Sequence, residues 1–194
     1  MNAALIIFVR HPELGKVKTR LAATIGNENA LKVYKLLLQH TYDLIKYLPL
    51  PVYVYYTSEI IADDLWYGNN IIKKQQKGND LGEKMSNAFK EVFSNGHKKV
   101  VIIGSDCYEL TTEIINESIN ALYNNETVIG PAKDGGYYLL GMKAPFKNVF
   151  ENIEWSTATV FKKTMEMFSE NNISVSVLIE LNDVDTEDDI TFPY

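Results

Sequence analysis

Apolar positions along this chain fall into two alternating patterns. Short unbroken apolar runs are followed by longer stretches in which apolar residues recur every three or four positions. The first pattern suits buried strands and the second suits helices lying on a sheet. Ala3–Val9 is such a run and reads as a strand. Residues 19–47 carry Leu31, Tyr34, Leu37 and Leu38 at helical spacing and read as one or two helices, interrupted at Gly26-Asn27. Residues 51–57, P-V-Y-V-Y-Y-T, are rich in strand formers and predict a second strand. Residues 59–66 read as a short helix, 70–75 as a third strand and 81–93 as a helix with Met85, Ala88, Phe89 and Val92 on one face. Residues 99–104 form a fourth apolar strand. Residues 111–123 read as a helix with Thr111 or Thr112 as its N-cap. Two strands, Thr127–Pro131 and residues 137–140, flank Asp134-Gly135-Gly136, a hairpin signal. A helix over 156–168 and a strand over 173–178 complete the series. Alternation of this kind predicts an α/β fold with a mixed, mostly parallel sheet flanked by helices.

The 194 residues suit a single domain spanning 1–194. Net charge is −6, with 46% hydrophobic and 23% charged residues. This acidic balance argues against nucleic acid and anionic membrane as partners, which require broad basic surfaces. One cysteine, Cys107, allows no intrachain disulfide and suits a reducing compartment. The N-terminal apolar run lacks a basic lead-in and a small-residue cleavage pattern, so it does not read as a signal peptide. No segment approaches the roughly 18 apolar residues of a membrane span. A cytoplasmic location is the expectation.

Against this acidic background, the segment R-H-P-E-L-G-K-V-K-T-R-L stands out. It places Arg10, Lys16, Lys18 and Arg20 between the first strand and the first helix. In an open α/β sheet that loop lies at the carboxyl edge, where ligands bind. Gly15 allows a tight turn or a close backbone approach. Cations and free helix N–H groups there suit a phosphorylated ligand. The Gly-Lys-Ser/Thr ending of a Walker loop is absent. Gly104-Ser105-Asp106 follows the fourth strand and brings a carboxylate to the same edge. Mg²⁺ takes one or two carboxylates together with phosphate oxygens and water, so Asp106 is the first candidate metal ligand. Asp183 and Asp185, two apart on an extended segment, face one way and could complete that site; Asp185 or Thr186 could equally cap a short helix. Asp134 could bind a ligand hydroxyl or simply form the hairpin turn, and Gly136 removes bulk beside it. Gly82, in G-N-D-L-G-E-K-M, lies at the same edge.

These stations, in this order, resemble the GT-A nucleotide-diphospho-sugar transferase superfamily, and more closely its DUF2064 branch of selenodomain-associated, glycosyltransferase-like proteins. The resemblance rests on P-E-L-G-K-V-K-T-R-L, G-N-D-L-G-E-K-M, G-S-D-C, P-A-K-D-G-G-Y-Y-L-L-G, W-S-T and L-N-D-V-D-T. It implies one GT-A, Rossmann-like domain and a Mg²⁺- or Mn²⁺-dependent transferase acting on a nucleoside triphosphate or nucleotide sugar plus a small-molecule acceptor. Lys18 and Arg20 would hold phosphates, with Gly15, Lys16, Thr19, Gly82, Asp134, Gly135 and Gly136 around the nucleotide. Asp106 would bind metal, with Asp185 as second carboxylate and Asp183 beside them. Lys18, Arg20 and Asp106 would carry catalysis. Tyr108, Glu187 and Lys84 depart from the family pattern, which has proline, proline and arginine there. K-T-R and D-V-D-T also resemble the guanylyltransferases of cofactor biosynthesis. Nucleotidyl transfer, glycosyl transfer and a non-catalytic nucleotide-binding module all remain open. In glycosyl transfer, Asp134 or Asp183 could serve as base.

Overall fold

The computed structural model describes residues 2–194. Among them, seven strands form one sheet: β1 (Ala3–Val9), β2 (Val52–Tyr56), β3 (Ile71–Gln75), β4 (Lys99–Ile103), β5 (Thr127–Pro131), β6 (Tyr137–Met142) and β7 (Val175–Val177). Their order is β3-β2-β1-β4-β6-β5-β7. Strands β3, β2, β1 and β4 run parallel, β6 is antiparallel to both β4 and β5, and β7 is parallel to β5. Five α-helices flank the sheet: α1 (Thr19–Ile25), α2 (Asn27–Ile45), α3 (Leu81–Ser94), α4 (Thr112–Ala121) and α5 (Val160–Glu170). This is the mixed, mostly parallel α/β architecture that the sequence predicts.

The unbroken apolar strands have a simple physical cause. Successive side chains of a strand point to opposite faces, and here both faces are covered. From β1, Leu5, Ile7 and Val9 join one core with Tyr34, Leu38 and Ile45 of α2 and Ile115 and Ile119 of α4. Ala4 and Ile6 join a second core with Met85, Phe89 and Val92 of α3 and Phe168 of α5. A third, smaller cluster joins Leu21, Ala30, Val33 and Leu37 to Val184 and Phe192. It binds the C-terminal segment to α1 and α2, beside the loop that follows β4, whose Asp106 carbonyl accepts the Val184 N–H.

Two details differ from expectation. Residues 59–66 form an irregular loop rather than a helix. The side chain of Lys73 takes the carbonyls of Ile61 (2.8 Å) and Ala62 (2.7 Å), and the carboxylate of Asp64 takes the Trp66 N–H (3.0 Å). Those groups are thereby diverted from a helical ladder. Helix α5 begins at Val160 rather than 156, because Ser156 lies in the left-handed region (φ 64°) and Thr157 bonds back to the Glu154 carbonyl. The interruption expected at Gly26-Asn27 is present: α1 and α2 are separate helices, parted at Gly26 (φ 83°). Elsewhere Thr111 caps α4, accepting from the Ile114 N–H.

The hydroxyl of Thr164 on α5 is fully buried and has no hydrogen-bond partner. A buried unsatisfied polar group costs about 1–3 kcal/mol. Thr164→Val keeps the shape and removes that group. The substitution is expected to stabilise the protein by roughly 1 kcal/mol, read as a higher urea midpoint with unchanged m-value.

Candidate functional site

The site is built around Lys18. It takes the left-handed conformation (φ 48°, ψ 47°) just before α1 and accepts the Ala22 N–H at its carbonyl. Its side chain is only 5% exposed, and a buried ammonium needs partners. Nζ lies 3.1 Å from Asp106 Oδ2 and 3.2 Å from Asp185 Oδ1. Burial alone would lower the Lys18 pKa, but Asp106 and Asp185 outweigh it and hold the ammonium above its ordinary value. Arg20, largely exposed, reaches the other oxygen of Asp185 at 3.5 Å.

Each carboxylate is positioned by its own backbone. Asp106 follows β4 and the buried Ser105, and its carbonyl accepts the Val184 N–H at 2.9 Å. Val184 is buried in the third cluster, so Asp183 and Asp185 on either side are turned the other way, toward Lys18 and Asp106. Asp189 fixes the next turn. Its Oδ2 accepts from the Asp185 N–H (3.1 Å), the Thr186 N–H (2.7 Å) and the Thr186 hydroxyl (2.8 Å), while Oδ1 accepts from the Asn182 side chain (2.7 Å). Thr186 precedes a short 3-10 turn, Glu187–Asp189, so both alternatives for this segment hold at once: a helical cap and a carboxylate at the site. Burial, then the neighbouring Asp106 and Asp134, push the Asp183 carboxyl up to about 7 against the pull of Lys18.

The remaining residues divide. Asp134 bonds its own turn through the Gly136 N–H (2.8 Å), and the hairpin is tied to the C-terminal segment by Lys133 N–H to the Leu181 carbonyl (3.0 Å). Gly135 has φ 88°, and a Cβ there would collide with the Ala158 carbonyl oxygen. Gly82 is in contact with Trp155: a Cβ would stand 2.5 Å from its indole nitrogen. Its missing side chain serves that packing. Lys16 is exposed and paired with Glu13 at 2.6 Å, apart from the Lys18 cluster. Gly15 turns with φ 73°, and Thr19 is the exposed first residue of α1. Thus only Lys18 and Arg20 of the four loop cations meet the acidic residues.

Tyr34 was legible only as part of the apolar stripe of α2, yet it serves the site. Its hydroxyl accepts the Arg10 N–H (2.9 Å) and donates to the Arg10 carbonyl (3.2 Å), pinning the start of the loop. Burial, and then Asp106, raise its pKa. Its only sequence signal is a polar tip within an apolar face. Among the described residues, no three histidine, cysteine or acidic side chains gather as a ready cage for a metal. Asp106 and Asp185 both contact the Lys18 ammonium, and as hard oxygen donors they are the carboxylates that could contribute to a metal site.

A crystal structure from Desulfovibrio desulfuricans G20, provisionally called a nucleotide-diphospho-sugar transferase, is 34% identical, covers 95% of this chain and 83% of its own, and superposes with a TM-score of 0.87. The 4-diphosphocytidyl-2C-methyl-D-erythritol synthase of Anaerococcus prevotii DSM 20548 shares the fold at 15% identity (96% and 92% coverage, TM-score 0.63). So does the inositol-1-phosphate CTP transferase of T. maritima at 14% (98% and 92%, TM-score 0.56). No curated protein matches the sequence. The family model described as "Uncharacterized protein conserved in bacteria (DUF2064)" matches residues 42–157, and with the 34% relative it shows that this chain belongs to the DUF2064 family.

Proposed function

We propose that this protein is a transferase acting on a nucleotide-activated substrate, with a divalent cation bound between Asp106 and Asp185. The observation that supports it is the convergence of Lys18, Arg20, Asp106 and Asp185 at the carboxyl edge of the sheet. The chemistry of the donor set fits the metal: two hard carboxylates are what Mg²⁺ takes from a protein, leaving its other positions to phosphate oxygens and water. When bound, the cation would neutralise the diphosphate charge. Mn²⁺ fits the same donors, and a related fold at 12% identity has been crystallised with manganese.

In nucleotidyl transfer an acceptor phosphate oxygen attacks the α-phosphorus. That new bond replaces the bond to the bridging oxygen, and pyrophosphate leaves. Lys18 meets the charge building on the α-phosphate, and Arg20, on the exposed side, meets the leaving group. Such positioning and electrostatics carry most of the rate in phosphate chemistry. A phosphate nucleophile requires no base. The relatives that act with cytidine nucleotides favour this reading. Asp183 gives a specific reason to keep glycosyl transfer as the second reading. A carboxyl titrating at about 7 is suited to take the proton of an acceptor hydroxyl near neutral pH.

The deciding experiment incubates the protein with nucleoside triphosphates and nucleotide sugars, with Mg²⁺ or Mn²⁺ and an acceptor panel. Pyrophosphate release is expected for the first reading and nucleoside diphosphate release for the second. Ligand binding without any product across the panel would leave a non-catalytic nucleotide-binding module. A ligand at one hundred times its dissociation constant should stabilise the fold by about 2.7 kcal/mol; no stabilisation by any of them would end the nucleotide reading. Lys18→Ala and Asp106→Asn are each expected to lower kcat by about 10²–10³, with circular dichroism confirming the fold.

Asp183 makes a separate prediction for the metal-free protein. Folded, it keeps its proton to about pH 7; unfolded, it loses it near 3.8. The folded state binds more protons across that window, so its contribution is complete below the lower value and fades as pH rises to the upper one. Asp183→Asn removes this part of the slope. Urea denaturation from pH 4 to 8 should show the variant gaining on the parent as pH rises; parallel curves would refute the assignment.

A further inference from the structure

A cavity of about 240 Å³ opens at the carboxyl ends of β1 and β2, outside the Lys18 cluster. Its apolar lining comes from Leu38 of α2, Tyr56 at the end of β2, and Ile61, Leu65 and Trp66 of the irregular 59–66 loop. Leu38, Tyr56 and Trp66 are all buried, so this wall is fixed by core packing rather than by mobile surface groups. Two cations, Arg10 and Lys35, line the same cavity. Both are exposed, and among the described residues neither forms an ion pair. The one carboxylate present, Asp64, is already committed. It accepts the Tyr56 hydroxyl (2.6 Å), the Trp66 N–H (3.0 Å) and the Lys73 ammonium (2.8 Å). The cavity therefore has an apolar wall and two uncompensated positive charges, in a chain whose net charge is −6.

Among the described residues, Arg10 is the one cation of the four in the loop after β1 that pairs with no carboxylate. Arg10 belongs by sequence to the run that includes Lys18 and Arg20. The Tyr34 hydroxyl pins its backbone at 2.9 and 3.2 Å, just where the chain leaves β1, and its side chain lines the cavity instead. His11, next to it, holds the 59–66 side through a 2.7 Å bond to the Glu59 carbonyl.

We infer that this cavity is a second ligand site for a small organic anion, one ring-sized apolar body carrying a phosphate or carboxylate. At ~30 Å³ per water the space equals about eight waters, enough for one substituted ring and below the size of a nucleotide pocket. Tyr56 and Trp66 supply the surface for the ring. Arg10 and Lys35 supply charge-assisted donors to the anion. The assignment stands apart from the transferase reading, because none of its residues touches Lys18, Asp106 or Asp185.

The test uses Trp66 as its reporter. The chain has two tryptophans, so Trp155→Phe leaves Trp66 as the sole indole. Phenyl phosphate, benzoate, inorganic phosphate and phenol are titrated against its emission, and ligand-detected NMR repeats the series on the unaltered chain. Saturable binding of phenyl phosphate or benzoate is expected, at least fivefold tighter than inorganic phosphate or phenol. The stronger of the two anions identifies the headgroup. Arg10→Ala and Lys35→Ala are each expected to weaken it at least fivefold while the melting temperature stays within a degree or two. No saturation at 10 mM by either method, binding of phenol equal to that of the anions, or binding indifferent to both substitutions would overturn the proposal. Failure would leave the nucleotide reading intact, since no probe carries a nucleoside.

Discussion

One buried positive charge ties the loop after β1 to the loop after β4 and to the C-terminal segment. The Lys18 ammonium, removed from water, is shared by carboxylates from residues 106 and 185. Breaking one partner of a buried charge pair is strongly destabilising, because the charge left behind is uncompensated. The local backbone is organised around that demand. Lys18 accepts a left-handed conformation that favours glycine, and α1 starts without a side-chain cap. Such strain is tolerated where surrounding contacts over-determine it.

Packing and electrostatics reinforce each other here. Val184 is buried against α1 and α2, and its N–H is bonded to the Asp106 carbonyl. The apolar contact sets the register of the acidic segment, and the charges then meet without further adjustment. Asp189 fixes the turn that follows through four hydrogen bonds. The Asp134 hairpin is tied to the same segment through the Leu181 carbonyl and to the start of α5 through the Gly135 carbonyl, which accepts the Phe161 N–H at 2.8 Å. The site edge is thus a set of loops that hold one another.

Much of this was legible in the sequence, for identifiable reasons. Strands buried on both faces leave unbroken apolar runs, so β1 and β4 were plain. The D-G-G turn between two strand-forming runs gave the β5–β6 hairpin. The six motifs pointed to the family and to the acidic and basic stations. What failed were local decisions settled by distant side chains. The 59–66 segment has helical composition, but Lys73 and Asp64 claim its backbone groups. The cationic loop read as one cluster, whereas Glu13 takes Lys16 and the Tyr34 hydroxyl steers Arg10 elsewhere. Gly82, read as a ligand contact, packs against Trp155. Lys73 and Tyr34 lie far in sequence from the segments they decide, whereas Glu13 is only three residues from Lys16.

The tail segment has a consequence for biosynthesis. The segment from Leu181 to Phe192 follows every strand of the sheet, and it furnishes Asp185, the Val184 that packs on α1 and α2, and the ring of Phe192 stacked 3.9 Å from Tyr108. A ribosome-bound chain can form β1 to β4 and pack α2 and α3 before this stretch emerges. Until it does, Lys18 has only one of its two carboxylates. Completion of the sheet and completion of the charge cluster are therefore separate events in time, and a chain released early would carry a nearly finished sheet around an unfinished centre.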